Sequence, residues 1–99
     1  MRYLGSVSGE GTLSCEGCPS APVTYNFEGY AGKNGQVTGS GEIELEPEAL
    51  SAMFGRKNVR LEAEDGHVFE LRFAGSETTE PDFATVDITG GLPEAWTTN

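Results

Sequence analysis

From Val7 to Cys15 the chain places an apolar residue or a glycine at every odd position: Val7, Gly9, Gly11, Leu13 and Cys15. Ser8, Glu10, Thr12 and Ser14 fill the positions between. That two-residue period predicts a strand with one face turned inward. It extends over about 2–15, with Tyr3 and Gly5 counted to the inward face and Leu4 breaking the alternation. Glycines in the middle of so long a strand predict a bend. The phrase recurs: Gly5 to Leu13 and Gly35 to Ile43 both read G-x-V-x-G-x-G-x-(Leu/Ile). Each leads through a connection into a V-x-Φ-x-Φ-Glu segment, Val23 to Glu28 and Val59 to Glu64, which reads as a diverged duplication of strand pairs or as chance in a glycine-rich β chain.

Turn chemistry registers the next strands. Val23, Tyr25, Phe27, Gly29 and Ala31 share one face, and Val37, Gly39, Gly41, Ile43 and Leu45 share another. A two-residue Asn34-Gly35 loop would set Ile43 against Asn26. A three-residue Lys33-Asn34-Gly35 loop sets Val23 against Leu45, Tyr25 against Ile43, Phe27 against Gly41 and Ala31 against Val37. A one-residue slip turns every side chain to the wrong face, so the second register is expected, with Gly35 in the left-handed region as a G1 bulge. Phe27 is then placed to cover the bare backbone at Gly41. The same reasoning applied to 57–74 gives a Glu64-Asp65-Gly66 loop, with Leu61 opposite Phe69, Val59 opposite Leu71 and Arg60 opposite Glu70.

Between the hairpins, Pro47 suits a first helical position, Glu48 the positive end of the helix dipole and Gly55 the C-terminal cap, so a short helix spans 47–54. Leu50, Met53 and Phe54 make its apolar stripe, and so short a helix must dock on the sheet to persist. A polar loop from Gly75 to Pro81 precedes a strand in which Ala84, Val86 and Ile88 are apolar, and Gly90-Gly91 ends it. The tail from Leu92 carries the sole tryptophan, Trp96, expected to pack back on the body. The fold class is therefore all-β: about six antiparallel strands in a small barrel, or second a barrel-like sandwich, with one short helix, as a single domain over 1–99. By analogy with Gly41, Gly9 and Gly11 should face an aromatic, for which Phe83 and Trp96 are the candidates.

Charge narrows the function classes. Sixteen acidic against six basic residues leave a net charge of −10, which argues against nucleic-acid or acidic-membrane binding and is read first as solubility, then as attraction to a basic partner or mimicry of a polyanion. No apolar run reaches the ~18–20 residues of a membrane span. No signal-peptide pattern opens the sequence, which gives a cytoplasmic location as the expectation.

The one recognised chemical motif is Cys15-Glu16-Gly17-Cys18. As a zinc half-site it lacks a second C-x-x-C, and His67 is the sole histidine available to complete it, an unusual set for structural zinc. As a redox motif it follows a strand instead of opening a helix, with carboxylates close by. As a disulfide it would close a very small ring. The leading reading is two thiols in a turn, Cys15 inward and Cys18 nearer the surface. No cofactor is expected, and a metal- or thiol-dependent enzyme on this motif is the weakest of the functional readings. A Ser-His-Asp arrangement would have to use His67, which sits beside a hairpin turn, paired across from Ala63.

Two surfaces and one interior remain. Glu28, Glu42 and Glu44 form a candidate acidic docking face, with Glu62 and Glu70 also outward. Arg56, Lys57, Arg60 and Arg72 gather most of the basic charge on one hairpin, a candidate anion or partner site. Tyr3, Tyr25, Phe27, Phe69 and Trp96 are candidates to line an apolar ligand site, with core packing the leading reading of the inward aromatics, because six strands around glycines leave little interior room. The leading expectation is a non-enzymatic module that binds a protein partner, or itself, through an open strand edge or its acidic face. The alternative is a barrel that binds a small apolar ligand.

Overall fold

The computed structural model describes residues 2–74, 81–93 and 96. Their element order is β1 (Arg2–Ser14), β2 (Ala21–Ala31), β3 (Val37–Glu44), α1 (Pro47–Met53), β4 (Val59–Ala63), β5 (Val68–Phe73) and β6 (Phe83–Gly90). The strands close into an antiparallel barrel in the order β1-β2-β3-β6-β5-β4. Two meanders, β1–β3 and β4–β6, are thus joined by α1 at one end, and closure comes from β3–β6 and β1–β4. The expected loop at 75–81 lies, except for Pro81, outside the described residues.

Both hairpin registers match the turn chemistry. Tyr25 opposes Ile43, Phe27 opposes Gly41 and Ala31 opposes Val37, while Leu61 opposes Phe69, Val59 opposes Leu71 and Arg60 opposes Glu70. Gly35 and Gly66 take φ of 83° and 92°, the left-handed conformation that closes each three-residue loop. The Gly32 N–H donates to the Gln36 carbonyl at 2.7 Å, and the Ala63 N–H to the His67 carbonyl at 2.8 Å. The helix ends at Phe54, whose N–H donates to the Leu50 carbonyl at 2.8 Å, and Gly55 follows at φ 80°. Leu50 and Met53 are buried in the core, and Phe54 packs on Phe73 with ring centroids 5.0 Å apart.

The strand repeat is not a repeat of paired strands. β1 pairs with β2, but β3 pairs with β2 and β6, and β4 with β1 and β5. The two glycine-rich strands instead flank β2, and their glycines serve close approach. Gly5 opposes Gly29, and Gly29 opposes Gly39, so three glycines lie in a row across β1, β2 and β3. The indole of Trp96 fills the space they leave. A Cβ at Gly29 would come within 2.5 Å of the indole, and one at Gly39 within 2.8 Å of Ile88 and 3.1 Å of the indole. At Gly41 and Gly11 a Cβ would instead meet neighbouring main chain, at Asn26–Phe27 and Glu62–Ala63. Register rather than proximity along the chain decides which aromatic meets Gly9. It opposes Tyr25, whose hydroxyl lies 3.2 Å from where its Cβ would stand, so Gly9 and Gly11 face neither Phe83 nor Trp96.

Tyr3 does not face inward. The β1–β2 register shifts between Tyr3 and Gly5, leaving Leu4 as the extra residue of a bulge. The parity of β1 reverses there, and Tyr3 is 55 % exposed, packed edge-on against Tyr30 at 5.5 Å.

Trp96 is 5 % exposed. Trp96→Ala is expected to lower stability in urea unfolding by roughly 3–5 kcal/mol. Gly29→Ala is expected to destabilise as well, and by less in the Trp96→Ala background, where its collision partner is gone. A double-mutant cycle reads that coupling directly.

Candidate functional site: the open edge of β1 and the barrel mouth

A strand of thirteen residues, β1, meets a partner of five, β4. β1 pairs with β2 over Arg2–Leu13, but with β4 over Gly11–Ser14 alone. The last bond of that seam is the Glu64 N–H donating to the Glu10 carbonyl at 3.3 Å. It shows that the main-chain groups of the even-numbered residues from Ser6 to Ser14, after the Leu4 bulge, point toward β4, since they alternate along a strand. Below Glu10 the β4 chain has turned away through Glu64–Gly66. The N–H and C=O groups of Ser6 and Ser8 are therefore aimed at a gap, and no described strand pairs with them there.

The gap opens into a groove of about 710 Å³ lined by Ser6, Val7, Ser8, Tyr25, Ala63, Asp65, His67, Phe69 and Pro93. Its floor is aromatic. Tyr25 stacks on Phe27 at 5.1 Å, Phe27 meets Phe69 edge-on at 5.1 Å, and Tyr25 lies 5.8 Å from Phe69. Phe27 is wholly buried beneath this floor and does not line the groove. Burial pushes the Tyr25 phenol above its usual range, and Asp65 and Glu64 push it further. The rim is polar. His67 packs on Phe69 at 4.5 Å, and its Nε2 lies 2.6 Å from the Gly91 carbonyl. A carbonyl only accepts, so Nε2 is the donor in this pair. Asp65 Oδ1 accepts the His67 N–H at 3.0 Å, which fixes the turn.

A second groove, of about 630 Å³, adjoins the first at Ala63 and carries Glu10, Glu44, Glu62 and Glu64. Of the expected acidic face, Glu42 and Glu44 lie outward on β3 and Glu28 outward on β2, where it accepts the Tyr30 hydroxyl at 2.9 Å. Glu44 alone of the three lines this groove.

The cysteines sit at the other end of the barrel, beside α1. The Cys18 N–H donates to the Cys15 carbonyl at 3.3 Å, Gly17 takes φ 82°, and the loop is held by Asn58 Nδ2 donating to Glu16 at 2.9 Å. Both cysteines are free thiols, Cys15 buried and Cys18 half-buried, with Cys18 Sγ 3.5 Å from the Ala52 carbonyl. Burial, then the hydrogen bond with Cys18, pushes the Cys15 thiol up to about 11 against the opposing charge of Arg56. A thiol so raised is almost wholly protonated at neutral pH and is a poor nucleophile. His67 does not join it. Ser14, next to Cys15, pairs with Arg60, whereas His67 pairs with Ala63 at the far end of β4, about 10 Å along the strand. Among the described residues no three His, Cys, Asp or Glu side chains gather as metal ligands.

The basic residues are spread along the helix end of the β4–β5 hairpin. Arg56 Nε donates to the Ala52 carbonyl at 3.2 Å, Lys57 is exposed in the loop, Arg60 lies opposite Glu70, and Arg72 pairs with Asp87 at 3.4 Å. Trp96 plugs the glycine row and so belongs to the core. Ser6 and Ser8 were not among the residues the pattern singled out. Their signal was the mismatch in length between the first strand and the short strands of the 57–74 hairpin.

Comparison with known proteins adds no relative: no family model matches the chain, and neither a curated protein nor a solved structure matches it. No described helix is long and apolar enough to cross a membrane.

The raised Cys15 thiol has a consequence above neutral pH. Its folded value, about 11, exceeds the ordinary 9.0, so its contribution to stability is full below pH 9 and is lost as pH rises toward 11. Thermal unfolding should show a lower Tm across that window, with a smaller drop in Cys15→Ala. At pH 8, Cys18 should react with a thiol reagent well before Cys15.

Proposed function

We propose that this protein is an interaction module that receives an extended segment of a protein partner at the open edge of β1. One observation carries the reading: the main-chain groups of Ser6 and Ser8 point into the groove with no described strand beside them. An added strand would satisfy those groups, the mode by which sheet edges take up peptides. Residues Gly5–Gly9 also lack the lysines, prolines and inward charges that usually guard an exposed edge. Side chains of an added strand would alternate between the aromatic floor and solvent, so the floor would supply selectivity.

A second reading is supported by the groove itself. Its volume of about 710 Å³, with Tyr25 and Phe69 in the lining, is in the range of small-molecule sites, so a small apolar ligand could lie over the aromatic floor. Such a ligand would not depend on the Ser8 N–H.

Ser8→Pro separates the two. It removes the donor aimed into the groove and leaves the β1–β2 ladder intact, because that N–H points away from β2. Peptides selected from a random library on the native protein should lose at least about tenfold in affinity for Ser8→Pro, the order of one or two hydrogen bonds. Selected peptides that bind both proteins equally, as read by titration calorimetry, would sink the edge reading.

A further inference from the structure

The charge around the open edge specifies its occupant. We infer that the segment taken up beside β1 is cationic, with lysine or arginine at alternate positions and apolar side chains between them, and that it comes from a different protein rather than a second copy of this chain. The inference rests on the edge reading proposed above.

Three observations carry it. First, the residues lining the mouth and the adjoining groove include Asp65, Glu10, Glu44, Glu62 and Glu64, and no lysine or arginine. The nearest cation along β1 is Arg2, opposite Ala31 and beyond the Leu4 bulge, where it shares a separate groove with Lys33 of the β2–β3 turn, while Arg56, Lys57, Arg60 and Arg72 lie toward the helix end. Second, the mouth is two-sided in the sense a strand requires. A strand beside Ser6–Ser8 turns alternate side chains toward Val7, Tyr25 and Phe69, and the others toward solvent, where Glu10 is exposed and Glu64 and Asp65 flank the edge. Apolar and cationic residues in alternation fit that arrangement. Third, a second copy would bring the same carboxylates against one another, between chains that each carry a net charge of −10.

The test uses three capped octapeptides in which valine alternates with lysine, with serine or with glutamate, titrated into the isotopically labelled protein and followed by backbone NMR. The variants are Ser8→Pro and the double variant Glu64→Gln/Asp65→Asn. Asparagine retains the acceptor that Asp65 offers the His67 N–H, so the turn is expected to persist. The lysine peptide should bind most tightly, shift the Ser6–Ser8 resonances, weaken at least about threefold for each carboxylate neutralised and weaken further with added salt. It should not bind Ser8→Pro. If the serine and glutamate peptides bind as well as the lysine peptide, and all are lost in Ser8→Pro, the cationic inference fails while the edge reading stands. Undiminished binding of the lysine peptide to Ser8→Pro, or no binding of any peptide, overturns the edge reading itself. Sedimentation that reveals a dimer dissolved by Ser8→Pro would make the occupant a second copy and overturn the inference.

Discussion

Close approach of bare backbone is the constraint on which this barrel depends. At Gly11 and Gly41 the neighbouring main chain occupies the place a Cβ would need, and at Gly29 and Gly39 the indole of Trp96 does. Strands bearing side chains at those positions could not coil so tightly around so few inward residues. The glycines therefore make closure possible with only six strands, and Trp96 restores the apolar volume they give up. Without the indole the Gly5–Gly29–Gly39 row would be a void, and voids of that kind forfeit dispersion as well as apolar burial.

Closure is also uneven, and the unevenness makes the site. β1 runs the full height of the barrel because it must pair with the eleven residues of β2. The β4–β5 hairpin is set by its Glu64-Asp65-Gly66 turn and by burial of Leu61, Phe69 and Leu71, and it is too short to accompany β1 to the end. The difference leaves the main-chain groups of two serines facing no described strand on that side, above an aromatic floor. Acidic side chains from the same turn flank that edge, while four of the six cations, Arg56, Lys57, Arg60 and Arg72, lie toward the helix end. Geometry and field thus act on one place: an edge that accepts a strand, and a potential that favours a positive one.

The cysteine pair belongs to the opposite end and to a different kind of chemistry. Cys15 is an inward strand residue held neutral by burial, and Cys18 leans on the helix carbonyl of Ala52. The motif's spacing invites catalytic or metal readings, yet here it builds the turn that joins β1 to β2 and fastens it to the loop after α1.

Much of the fold was legible in the sequence because its determinants are local. Strand parity, the two x-(Asn/Asp)-Gly loops and the Pro47…Gly55 bracket act within a few residues, and they set both hairpin registers and the helix. Leu4 was visible as a break in the alternation, but not as a bulge, because a bulge is defined by the partner strand; Tyr3 was therefore placed inside when it lies out. Which aromatic meets which glycine likewise depended on the β1–β2 register and on the path of the tail. The open edge of β1 was decided only in three dimensions. An unpaired strand is a relation between a strand and a neighbour that stops short, and only closure of the barrel determines which strands become neighbours and where their lengths disagree.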